Sequence, residues 1–309
     1  MKKYNLLLKA FVIIVAMLSI GLSASAHDFE ADGIYYNFSN SSNNTVKVTY
    51  RGDFYDDYSN EYYGAVSIPN SVTHNGITYS VTEIGNLAFY GCYVLTEATI
   101  PNSVTTIGNN AFMECTGMTV INISNSVTSI GNYAFYNCSG LTEITIPNSV
   151  ASIGHSVFCN CSGLTEVTIP NSVTKIGDGA FQYCYKLTEV TIGNSITYIG
   201  RYAFAYCYLD SVTSYCETPP ICDYCAFGGS YSALLNVPEG TKDAYVNAYE
   251  WRNFTNITET AGVEGIEIDK KAIEVVRYDI YGRLLSEPTK GINIVKYSDG
   301  TTKKFIIKN

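Results

Sequence analysis

Charge is scarce in this 309-residue chain: Asp, Glu, Lys and Arg make up 15% of it, against 46% hydrophobic residues. Disordered chains show the opposite balance, so a packed core is expected. Cations are the scarcer sign, with 19 Lys and Arg against 28 Asp and Glu. A nucleic-acid partner needs cations to neutralise phosphate, so DNA and RNA are disfavoured. An anionic lipid surface is disfavoured for the same reason. Only three histidines are present, His27, His74 and His155, far apart in sequence. That leaves little for imidazole-centred catalysis or metal binding. No G-x-S-x-G, H-E-x-x-H or phosphate-loop string occurs. No cofactor, metal or catalytic residue is expected. No apolar run is long enough for a transmembrane span; the longest, residues 10–22, is short of the roughly 20 residues a bilayer needs.

That run has a meaning of its own. Lys2, Lys3 and Lys9 precede or open it, and Ala24-Ser25-Ala26 follows as a small-x-small cleavage site. Residues 1–26 therefore read as a signal peptide cut after Ala26, which predicts a secreted or cell-surface protein. The remaining chain carries 16 basic and 28 acidic residues, a net charge of −12.

What the chain has in abundance is repetition. Ile-Gly recurs every 23 residues at Ile84, Ile107, Ile130, Ile153, Ile176 and Ile199. A phenylalanine follows five positions later (Phe89, Phe112, Phe135, Phe158, Phe181, Phe204) and a cysteine three after that (Cys92, Cys115, Cys138, Cys161, Cys184, Cys207). In the best-formed unit, residues 141–163, Ile144 and Ile146 alternate with polar neighbours, which predicts a strand buried on one face. Pro147-Asn148-Ser149 is turn chemistry, residues 150–153 a second short extended piece, and Val157, Phe158 and Cys161 suit about one helical turn. A single unit cannot bury its own apolar face. Stacked in register about 4.8 Å apart, the units form one continuous core. The recurring glycine marks either a positive φ or a close backbone approach.

The flanks depart from the period. Residues 27–83 predict an N-terminal β-cap with a half repeat and a hairpin turn at His74-Asn75-Gly76. The solenoid is assigned to residues 84–215, a C-terminal cap with a short helix within 241–251 to residues 216–261, and a small β unit to residues 262–309.

The repeated string LTEITIP, NSV, IG, AF, NCSG, over about residues 67–215, resembles the BspA-like bacterial leucine-rich repeats. The resemblance implies a right-handed leucine-rich repeat solenoid of short strands and short helical turns. It also implies display on the cell surface and adhesion to a protein or glycan on host matrix or other cells. The strings YDIYGRLL, KGINIV and DGTTKK of the tail resemble the C-terminal sorting domain of type IX secretion cargo. That resemblance implies engagement of the secretion machinery.

Several constellations need weighing. The six periodic cysteines fall on one core column and are expected as inward-facing free thiols, since cysteine is among the most buried residue types. Cys159 is expected outside. Cys216, Cys222 and Cys225 lack a nearby fourth ligand, so packing or a cap disulfide is favoured over zinc. Glu97, Glu143, Glu166 and Glu189 predict an acidic stripe with Thr99, Thr145, Thr168 and Thr191 beside it, interrupted by Asn122. A glycosidase needs two carboxyls in unlike environments, and a solvated stripe, like the Asp56-Asp57 pair, does not supply them. Tyr90, Tyr136, Tyr183 and Tyr206 lie beside the core Phe and Cys positions. Either they form a contact surface, where tyrosine is enriched, or they pack over neighbouring repeats. The expected function is non-catalytic binding through these Glu, Thr and Tyr columns. A structural spacer without a ligand is the alternative, and a surface glycan hydrolase a weaker one.

Overall fold

A computed structural model describes residues 27–40, 43–52 and 60–260, together with the backbone of four strands in the tail. The expected signal peptide and the Asp56-Asp57 pair lie outside the described residues.

Residues 64–260 wind into a coil with three sides. The first carries the long strands. Gly64–Ser67, Leu95–Thr99 and Val120–Asn122 form one parallel sheet. Glu166–Ile169, Glu189–Ile192, Ser211–Ser214, Leu234–Pro238 and Asn256–Thr260 form another. The second side carries two-residue strands at the Ile of each Ile-Gly pair from Ile107 to Ile199, such as Thr106–Ile107 and Lys175–Ile176, and begins with the end of the longer strand Ile77–Ile84. Register repeats the sequence period: Glu166 faces Glu189 and Ile176 faces Ile199.

The third side differs in detail from the single helical turn expected there. It is a run of tight turns that alternate between two kinds of hydrogen bond. The N–H of Cys115 bonds back to the Phe112 carbonyl, while the N–H of Phe112 reaches the Ala134 carbonyl in the next repeat at 2.7 Å. An α-helix would keep every N–H for itself. Here every second one joins neighbouring turns, so all three sides are laddered. The alternation needs left-handed backbone at two positions per repeat, and these too recur every 23 residues: Asn110, Tyr133, Ser156 and Tyr202, then Glu114, Asn137, Asn160, Tyr183 and Tyr206. The Ile-Gly glycines serve the other purpose, close approach. A Cβ on Gly131 would stand 2.6 Å from the Gly108 carbonyl carbon and 2.5 Å from the Asn109 nitrogen.

Inside, the phenylalanines stand in single file. Ring centroids from Phe89 through Phe227 are 4.7–5.4 Å apart with planes within 16° of parallel. The thiols form a second file. Each of Cys115, Cys138, Cys161, Cys184 and Cys207 donates to the carbonyl of a phenylalanine 26 residues earlier, at 3.0–3.2 Å. Burial pushes the Cys92 thiol up to about 12 and also raises those of Cys115, Cys161 and Cys184 well above the usual thiol range.

The ends are closed by aromatic rings. Tyr62 packs 4.4 Å from Phe89 at one end, beneath a cap in which Phe29–Ala31, Ile34–Asn40 and Thr45–Thr49 pair antiparallel. Asn75 and Gly76, both at positive φ, turn the hairpin between Ser71–His74 and Ile77–Ile84. At the other end the stack does not stop at residue 215. Phe227 sits on Phe204, and Ser230 takes the cysteine place, donating to the Cys207 carbonyl at 2.7 Å. This turn is hidden in the sequence because Cys222-Asp223 replaces Ile-Gly. The helix Lys242–Asn247 and the 3-10 turn Trp251–Asn253 then cover it, with Trp251 5.0 Å from Phe227. In the tail, the strands Glu274–Asp279, Leu284–Leu285, Gly291–Tyr297 and Thr302–Ile307 form an antiparallel sheet.

Candidate binding surface

The coil sorts the sequence columns onto separate sides. Glu and Thr stand on the long-strand side, where alternation turns every second side chain outward. Glu143, Glu166 and Glu189 are exposed, and Glu97 is half-buried. Within this set Glu166 and Glu189 face one another in register. Glu97 instead faces Val120, which is the residue that interrupts the stripe. Asn122 belongs to the threonine row, opposite Thr99, although its amide donates to the Glu97 carboxylate at 3.2 Å. Glu143 and Thr145 are exposed on a segment outside either long-strand sheet. The threonine row runs Thr168, Thr191, Thr213 and ends in a polar chain, with Asn236 donating to Thr213 and Thr258 to Asn236.

The tyrosines occupy the turn side and fall into three places. Tyr90 is half-buried near the N-terminal end. Tyr136 is half-buried in the middle, its ring edge-on to Tyr133 at 5.9 Å, and Tyr133 is in turn edge-on to His155. Burial raises the Tyr136 hydroxyl, as does the neighbouring Cys159. Cys159 is not outside as expected: it is buried, near this tyrosine, and desolvation pushes its thiol up to about 12.

Tyr183 and Tyr206 belong to a larger patch. They stack at 4.9 Å and 16°, while Tyr185 lies 5.9 Å from Tyr183 and Tyr208 lies 6.3 Å from Tyr185. Tyr185, Tyr206 and Tyr208 are 45%, 51% and 67% exposed, unusual for large rings on a folded surface. Tyr185 and Tyr208 were missed in the sequence columns. The signal was present, because Tyr185, Tyr208 and Tyr231 are spaced by the same 23 residues. Further along, an open groove of about 700 Å³ lies at the corner lined by Asn194, Thr197, Tyr215, Glu217, Pro219 and Ile221.

Among the described residues, no group of three or more His, Cys, Asp or Glu is placed to hold a metal ion. Nor is any described helix long and apolar enough to cross a membrane. The surface offers extended contact area, aromatic on one side and acidic-polar on another.

Two crystal structures share this architecture. A leucine-rich cell surface protein from Faecalibacterium prausnitzii is 26% identical with a TM-score of 0.55, over 89% of this chain. The chain spans 59% of that protein's length. A leucine-rich repeat protein of T. pallidum is 29% identical with a TM-score of 0.51, over 60% of this chain and 85% of its own. No curated protein matches. The family profile described as BspA type leucine-rich repeat region matches residues 82–210 and 174–270, in six copies. These matches take in more than half of the sequence, along the Ile-Gly, Phe and Cys columns that build the coil, and the chain belongs to the BspA-type leucine-rich repeat family.

Proposed function

We propose that this is an exported, non-catalytic recognition protein that binds a protein or glycan on another surface. The observation that carries this reading is the tyrosine patch. Tyr183, Tyr185, Tyr206 and Tyr208 hold their rings on two successive turns, three of them about half exposed or more. A ring fixed by its turn loses little entropy on binding and offers both apolar area and a hydroxyl. The acidic side of Glu143, Glu166 and Glu189 steers partners by charge and contributes more to association rate than to affinity. Display outside the cell is supported by the leader pattern of residues 1–26 and by the cell surface description of the Faecalibacterium structure. In this reading residues 262–309 engage the secretion machinery.

The test is a binding screen of residues 27–309 against immobilised matrix proteins and neutral and acidic glycans. Replacing Tyr185, Tyr206 and Tyr208 together by Ala should weaken a detected interaction at least tenfold, the loss expected when a hot-spot cluster is truncated. The triple change Glu143→Gln, Glu166→Gln and Glu189→Gln should slow association and reduce its salt dependence. Binding that survives both sets would reject these surfaces. A chain that binds nothing in the screen would favour the spacer reading.

A further inference from the structure

The coil is not equally knitted along its length. On the second side, the glycine N–H of one turn bonds the isoleucine carbonyl of the turn before: Gly108 to Ile84, Gly131 to Ile107, Gly177 to Ile153 and Gly200 to Ile176, each at 2.8 Å. Among the described residues, the corresponding bond from Gly154 to Ile130 is not made. Accordingly, Ser129–Ile130 pairs only with the turn before it and Ser152–Ile153 only with the turn after. On the long-strand side, one sheet ends at Val120–Asn122 and the next begins at Glu166–Ile169, with residues 141–147 in neither. A Cβ on Gly154 would lie 2.6 Å from the Asn132 side chain and 3.5 Å from Val157, but it meets no backbone of the turn before, unlike Gly131 or Gly177. Ile121, Ile130 and Ile144 are 7–9% exposed, where Ile107, Ile176 and Ile199 are at 0%.

The turn side is continuous at the same level. Tyr133, Phe135 and Asn137 donate to the carbonyls of His155, Val157 and Cys159 at 2.8–3.0 Å. The Phe135 and Phe158 rings stay parallel at 5.4 Å. At the corner between the two strand-bearing sides a single side-chain bond crosses the gap, the Ser149 hydroxyl donating to the Val127 carbonyl. Two residue choices set this level apart. The position before the core phenylalanine is alanine in every other turn from Ala88 to Ala226 and valine only at Val157, and all are fully buried. Two extra methyl groups must be accommodated there in a close-packed column, while the Phe135–Phe158 spacing stays at the 5.4 Å of the level before. The second choice is Ala151. Its equivalents Thr128, Thr174 and Thr197 donate a hydroxyl hydrogen bond to the preceding turn at 3.1–3.3 Å, and an alanine cannot.

We propose that this level is a hinge: two knitted stacks, meeting between residues 140 and 141, joined along the turn side and able to open on the strand-bearing sides. Opening would change the angle between the Glu97 end of the acidic face and the Glu166–Glu189 end, so a long coil could adjust its curvature to an extended partner. The hinge stands on the hydrogen-bond pattern alone and does not depend on the binding role.

Hydrogen exchange on residues 27–309 tests it. Amides of residues 142–146 and 154 should exchange at least tenfold faster than their counterparts in residues 119–123 and 131, and in residues 188–192 and 200. The double variant Val157→Ala, Ala151→Thr should slow them at least tenfold, and Ala151→Thr alone should act in the same direction. Wild-type protection equal to that of the flanking turns would overturn the hinge. Fast exchange persisting in the double variant would overturn its assignment to Val157 and Ala151.

Discussion

Replacing Phe181 by Ala tests the aromatic file at its centre. The ring is fully buried, with Phe158 on one side and Phe204 on the other, each 5.2 Å away. Truncating a core phenylalanine costs about 3–5 kcal/mol, the lost transfer energy plus the cavity left behind. Two stacked partners lose their contact at once, each worth ~0.5–1.5 kcal/mol, which places the change in the upper half of that range. The alanine cannot be replaced by inward movement, because neighbouring turns are held by ladders on three sides. Urea unfolding should therefore show a midpoint lowered by roughly 1.5–2 M at unchanged slope. Far-UV circular dichroism reads the whole coil. Fluorescence reads its C-terminal end, since Trp251 is the single tryptophan and packs on Phe227. The two signals should shift together, because each turn is coupled to the next. Tyr206→Ala, on the exposed patch, is the control and should change stability by less than about 1 kcal/mol. A loss below ~1.5 kcal/mol for Phe181→Ala would refute the close-packed file.

Other consequences follow from the same geometry. Cys138→Ala, which removes the thiol donor to the Phe112 carbonyl, should cost about 1–2 kcal/mol in denaturant unfolding, and Cys138→Ser less, since Ser230 already fills the equivalent place. In the native protein, a maleimide should label Cys225, the half-buried thiol, well before Cys115, Cys138, Cys161 or Cys184; labelling of all five at one rate would contradict the buried column. Burial raises Glu61 to about 7 from 4.5, despite the Arg51 N–H and charge that favour its ionised form. Because the folded state holds this proton more tightly, the Glu61 contribution to folding is fully present below pH 4.5, falls as pH rises towards about 7, and is lost above that. Thermal melts of Glu61→Gln should lose that part of the pH dependence between 4.5 and 7. Gly131→Ala should destabilise by at least ~1–3 kcal/mol, since its Cβ would overlap the backbone of the preceding turn.

Much of this molecule is legible from spacing. A 23-residue period with Ile, Phe and Cys in fixed places already requires a stack, because no single repeat can cover its own apolar residues. The capping hairpin was legible too, since Asn75-Gly76 suits two left-handed positions in succession. The turn side was not. Val157, Phe158 and Cys161 have the spacing of a helical turn, yet the chain alternates bonds within and between repeats. That alternation depends on a neighbour whose presence no local pattern expresses. The turn through Phe227 was concealed for a related reason: its phenylalanine keeps the period while its Ile-Gly pair does not.

The candidate surface divides the same way. Periodicity alone determined which side chains share a column, and so predicted rows of Glu, Thr and Tyr. Tertiary structure decided which columns become neighbours, because adjacent columns meet only after the coil closes. Thus Tyr183 and Tyr206 gain Tyr185 and Tyr208, while Tyr90 and Tyr136 lie elsewhere. Cys159 lies inside, beside Tyr136, a placement that its departure from the column did not express. The incomplete ladder at residues 141–147 shows the division most sharply: that segment has the most regular repeat pattern of the chain, yet it joins neither long-strand sheet, because pairing depends on how whole turns seat on one another.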